Sequence, residues 1–161
     1  MLFKTIASFL AAAVASAATP STIIRELASL PVYEGRKSFH EGLVDVRVRV
    51  AFKVAPAEDY DVGKADFLIS IVMTEKGSKR TKTLSRECHD EDVELLESVL
   101  RFDPFTDEGV TCTRELIEAV NAEFGSSVPT PVELAISEGA SMLTFQANIK
   151  GADIVVPMRR H

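Results

Sequence analysis

The sequence predicts an α+β fold: a mainly antiparallel sheet, built from a meander and a C-terminal hairpin, covered by two or three helices and pinned by one disulfide. Three observations carry this expectation. Residues 42–54, GLVDVRVRVAFKV, place Val44, Val46, Val48, Val50, Phe52 and Val54 at every second position, the period of a strand with one apolar face. After Asp90 the spacing of Val93, Leu96 and Leu100 shifts toward a helical period. Cys88 and Cys112 are the two cysteines of the chain, and an even pair in an exported protein most often forms a bond.

Export is read from the first residues. Lys4 supplies a positive start, Thr5 to Val14 an apolar run, and Ala15-Ser16-Ala17 a small-x-small cleavage site, so Met1 to Ala17 reads as a signal peptide. That apolar run is far shorter than the roughly 20 residues of a spanning helix. The expectation is therefore an extracellular protein with no membrane anchor after cleavage, residues 18–161 forming a single α+β domain near the usual size.

After the leader, Thr19-Pro20-Ser21-Thr22 offers caps for a short helix carrying Ile23, Ile24, Leu27 and Leu30, stopped before Pro31. Residues 32–42 show no clean period. Ala55 to Lys64 reads as a loop, and 66–74, DFLISIVMT, as a central strand covered on both faces. A turn around Gly77 returns the chain through RTKTLSR, completing a three-stranded meander. Asp90, Glu91 and Asp92 suit the first turn of a helix that Pro104 closes. A second helix starts near Cys112, buries Leu116, Ile117, Val120 and Phe124, and stops at Gly125. Val132, Leu134 and Ile136 alternate, as do Leu143, Phe145, Ala147 and Ile149, and a last short strand through Ile154-Val155-Val156 ends at Pro157.

A Cys88–Cys112 bridge would tie the ends of the helical pair. Closing a loop of about 25 residues stabilises a fold by about 3 to 4 kcal/mol on the chain-entropy view, less any native strain.

The formal net charge is −6, one unit more negative once Lys4 leaves with the leader. Excess acid argues against a general nucleic-acid or anionic-membrane binder. The charge is uneven, since residues 18–86 are net basic and 87–161 strongly acidic. Arg47, Arg49 and Lys53 project from one strand, and Arg80, Lys82 and Arg86 from another. If both sets share the solvent side they make a basic patch fit for a protein or other acidic partner. The plainer alternative is a solvated outer face whose long cationic stems cover the sheet.

Signatures of catalysis are sparse. His40, His89 and His161 are the three histidines. His40 with Glu41, in SFHEG, is the candidate acid/base pair, and His89 is read as part of a helix N-terminus. No Gly-x-Ser-x-Gly elbow, HExxH, phosphate loop or calcium loop occurs. Asp103, Asp107, Glu108 and Gly109 are weak calcium ligands at best, so no metal and no cofactor are expected. With no Trp, and with Tyr33 and Tyr60 as the two tyrosines, the aromatic platforms usual for sugar or single-stranded nucleic acid are missing.

Two resemblances add to this reading. The leader MLFKTIASFLAAAVASA resembles those of small secreted proteins of filamentous ascomycete fungi, which implies a source and an effector-like role in virulence. Residues 32–42, VYEGRKSFHEG, resemble the FYGRKPEG type of segment of the Alt a 1-like family of fungal secreted allergens and elicitors. That family is a β-barrel with more cysteines; because two helical patterns stand here, neither its fold nor its residues are carried over. The leading expectation is a non-enzymatic interaction protein presenting a charged surface to an extracellular or host partner. The alternatives are a secreted hydrolase or nuclease using His40 and Glu41, and a carrier of a small apolar ligand.

Overall fold

The computed structural model describes residues 20–56, 62–103, 111–149 and 151–161. The signal-peptide reading of Met1–Ala17 and the Asp107, Glu108 and Gly109 part of the calcium reading lie outside them. The described chain runs α1 (Pro20–Leu27), β1 (Val32–Phe39), β2 (Val44–Val54), β3 (Gly63–Thr74), β4 (Thr81–Leu96), β5 (Val99–Phe102), α2 (Cys112–Phe124), β6 (Ser126–Ser127), β7 (Val132–Ser137), β8 (Met142–Ile149) and β9 (Ala152–Arg160).

These strands do not form a helix-covered sheet, and the α+β expectation is overturned. The order β8-β7-β5-β4-β3-β2-β1-β9 returns to β8 through a β8–β9 pairing, which closes an eight-stranded antiparallel barrel, and β6 adds a short extra pairing to β8. The register shows why the valines of β2 alternate. Val46, Val48 and Val50 pair with Ile71, Ile69 and Phe67 of β3, and all six point inward and are buried. From the opposite strands Leu134, Leu143, Phe145, Ile154 and Val156 fill the same interior. A barrel of eight strands has just enough width for such side chains.

Three further expectations need correcting. The predicted helix over 90–102 is instead the β4–β5 hairpin, with Leu96 opposite Val99 and Val93 opposite Phe102. Short apolar runs fit both periods. Here Val93, Leu100 and Phe102 all face the core, and β5 supplies the wall that joins β4 to β7. Among the described residues, strand β3 is covered on one face only. Its outward Leu68 is half-buried in register between Arg49 and Glu87, which bond each other across it. Strand β9 runs through Pro157 rather than stopping there.

The helices do separate jobs. Helix α1 closes one end of the barrel. Ile23 and Leu27 are buried, Glu26 accepts from Arg160 Nη1 at 2.9 Å, and buried Tyr33 donates its hydroxyl to the Ala140 carbonyl beneath. Helix α2 fills the wall where β4 runs on past β5. It packs on β4 and β6, with Leu116, Ile117, Val120 and Phe124 inward, and stops at Gly125 in the left-handed region. The Cys88–Cys112 bond, with Cα atoms 5.6 Å apart, fastens its first turn to β4.

Candidate functional site

Among the described residues, the end of the barrel opposite α1 is left uncapped. Inward side chains are completely buried at mid-barrel, as Val48 and Ile69 are, whereas Val44 and Met73 at this end keep 5% and 8% of their surface. Above them lies a cavity of 370 Å³ lined by His40, Leu43, Val44, Met73, Thr74, Glu75, Lys76 and Ile149. That volume is in the range of small-molecule sites, and barrel mouths are favoured places for them. Its floor is the top of the core.

Two turns hold the rim. Between β1 and β2, His40, Glu41 and Gly42 take φ values of 50°, 58° and 87° in succession. Left-handed backbone suits Gly42 and costs the two residues before it. The turn is held by Leu43 N–H donating to the His40 carbonyl at 3.1 Å and by Thr74 N–H donating to the Leu43 carbonyl at 2.7 Å. Those bonds set His40 and Leu43 at the edge of the cavity. The β3–β4 turn faces them, closed by Glu75 N–H donating to the Arg80 carbonyl at 3.1 Å and Arg80 N–H donating to Ser78 Oγ at 2.9 Å.

The sequence-predicted residues fall in three places. His40 reaches the mouth, while its neighbour Glu41 is exposed and does not line the cavity. Arg47, Arg49 and Lys53 lie on the outer face of β2, each beside an acid. Arg47 Nε donates to Glu34 at 2.8 Å, Arg49 to Glu87 at 2.9 Å, and Lys53 lies 2.9 Å from Asp66 and 3.1 Å from Asp90. Lys82 and Arg86 point the other way, since they pair in register with inward Met73 and Ile69, and they reach Glu123 and Glu115 of α2. The two basic sets therefore do not share a face. Arg80 stands on the β3–β4 turn.

Outward charges form a ladder across β1 to β4. Arg36 extends it by donating Nε to Asp45 at 2.9 Å. The guanidinium hydrogen bond from Arg36 holds the Asp45 carboxyl below its ordinary range, and Arg47 does the same for Glu34. Burial pulls Asp66 upward, but hydrogen bonds from Lys53, the Asp90 backbone and His89 outweigh it and hold that carboxyl low.

His89 is on β4, at an irregularity where Asp90 has φ 56°, and its Nδ1 is 3.4 Å from Asp66. Asp66, Glu87 and His89 bring three ligand-type atoms within 4.8 Å of one another. Lys53 and Arg49 already neutralise those carboxylates. Asp103 of the calcium reading is buried and held by Arg114 at 3.0 Å.

No protein-family model matches the chain, and neither a curated protein nor a solved structure matches it. Function has to be argued from this chain's own geometry. A second hollow, of 380 Å³, lies outside the wall at the β4–β5 turn, but its Arg101 and Glu133 bond each other at 2.9 Å. The mouth cavity differs in sitting over the barrel interior with an apolar floor.

Sequence reasoning missed this floor, because Val44, Met73 and Ile149 read as ordinary core positions. It also missed Glu91, whose carboxylate accepts from Thr113 N–H at 3.1 Å and Thr113 Oγ1 at 2.6 Å and so caps α2 from β4. The Thr111 hydroxyl, accepting from Arg114 N–H, was the local signal for that helix start.

Proposed function

We propose that this protein is an exported binder of a small, largely apolar molecule held in the open mouth of the barrel. One observation carries the reading: the end left uncapped by α1 bears a cavity of 370 Å³ floored by Val44, Met73 and Ile149. Burying a ligand's apolar surface there contributes about 25 cal/mol per Å² before the cost of immobilising it. Support for export comes from the leader and from the Cys88–Cys112 bond, which fits an oxidising compartment.

The charged-surface reading has less to stand on. Arg47, Arg49, Lys53, Lys82 and Arg86 each have an acidic partner within the chain, so a docking partner would have to compete with bonds already made. The test is titration with the neutral dye Nile red and displacement by decanol, using residues 18–161 and a Leu43→Arg variant shown by circular dichroism to be folded. Saturable 1:1 binding weakened at least tenfold by the substitution is expected. A dye that does not saturate, or that binds the variant equally, overturns the reading.

A further inference from the structure

Resting on that reading, we propose that the molecule in the mouth carries an anionic head and that the β3–β4 turn selects it. The observation is a contrast in how the cations are used. On the barrel wall most lysines and arginines sit against carboxylates, as Arg49 does against Glu87 and Arg86 against Glu115, with Lys37 and Arg159 as exceptions among the described residues. On residues 75–80 the pattern breaks. Lys76, Lys79 and Arg80 have no acidic partner among the described residues, and Glu75 is the one acid on the turn. Lys76 lines the cavity itself, and the hydrogen bonds across the turn hold its backbone at the rim.

An apolar floor with Lys76 beside Glu75 at its rim, and Lys79 and Arg80 on the same turn, matches an amphiphile: an aliphatic or aromatic body below, a carboxylate or similar anion above. Each cation adds only a few-fold in affinity at an exposed rim, because water and salt screen it. Three on one turn act together. His40 stands across the mouth and closes the ring of polar groups around the head. The shared chemistry is an anionic head on an apolar body, and the form proposed is a free molecule rather than a lipid in a bilayer.

The test compares decanoate with decanol, identical in chain and different in head, by calorimetry at pH 8 in 20 mM and 500 mM salt. Vesicles of phosphatidylcholine with phosphatidylserine make a third arm. The expected result is decanoate favoured over decanol about tenfold at low salt, with the preference shrinking at high salt. In Lys76→Gln/Lys79→Gln/Arg80→Gln the preference for decanoate over decanol disappears. Equal binding of the two by the unaltered protein, or a preference that survives the triple substitution, overturns anion selection and leaves the cavity reading standing. Binding of neither ligand overturns the cavity reading itself. Capture on the vesicles without binding of free decanoate overturns the free-ligand form.

Discussion

Gly35 sits where β1 passes close to the backbone of β9. A Cβ built there would lie 2.3 Å from the Pro157 carbonyl oxygen, a contact no side chain can relieve because the clashing atom is backbone. Pro157 matters to the same seam. Arg160 N–H donates toward β8, to Ser141, and His161 N–H toward β1, to Val32. Odd-numbered positions of β9 thus face β1, and Pro157 has no N–H to offer there. Pairing between β1 and β9 is limited to Tyr33 with Arg160 and Glu34 with Arg159. Gly35→Ala is expected to cost about 1 to 3 kcal/mol, the usual penalty of overpacking, read as a lower urea midpoint. A second residue-scale prediction concerns acid. Asp45 and Asp66 are held below the ordinary 3.8, and Glu34 below 4.5. A carboxyl depressed by folding contributes stability that is present above its unfolded pKa and is lost as pH falls through the folded value. Stability should therefore decline from about pH 5 downward, and the decline should be shallower in Arg36→Gln/Arg47→Gln/Lys53→Gln. Denaturation midpoints at pH 7, 5, 4 and 3 would show it.

Helix α2 is the element on which the wall depends, and its anchors come from three sides. The disulfide and Glu91 hold its first turn, Arg114 meets buried Asp103, and Asn121 bonds both the N–H and the carbonyl of Val128 at 2.8 and 3.0 Å. Replacing Cys88 and Cys112 by Ser should lower stability by about 3 kcal/mol, less any strain relieved. Phe124→Ala, which empties a fully buried site at the end of the helix, should cost about 3 to 5 kcal/mol; equilibrium unfolding checks both. At this scale the sequence was legible where one period dominated. Strands β2, β7 and β8 follow their alternation, and α2 follows its apolar stripe to Gly125. The hairpin at 90–102 was misread because its apolar residues fit both periods and its turn, Glu97-Ser98, carries no Gly or Pro. Strand β1 escaped notice because Gly35 and Lys37 stand at two of its inward positions, opposite Val48 and Val46, and break the apolar alternation between Tyr33 and Phe39.

Barrel closure was the least legible feature, because it depends on contacts between β1 and β9 and between β4 and β5 that no local pattern announces. Once the chain closes, the candidate site follows from what is left over. One end is stopped by α1, the wall gap is filled by α2, and the remaining mouth keeps an apolar floor under a polar rim. His40 was legible as a residue of interest, although its place is at the edge of a cavity rather than in a pair with Glu41. Arg47, Arg49 and Lys53 were legible as outward and charged, but the turn of Lys82 and Arg86 toward α2, and the acidic partners of both sets, were not.

The central claim is that ligand enters the mouth while the rest of the interior stays packed. Methyl-resolved NMR during a decanol titration tests it most directly. Saturable shifts confined to the methyls of Leu43, Val44, Met73 and Ile149, with Ile69, Leu134 and Val156 unmoved, are the predicted result. Shifts spread through the interior, or none at the mouth, would contradict it.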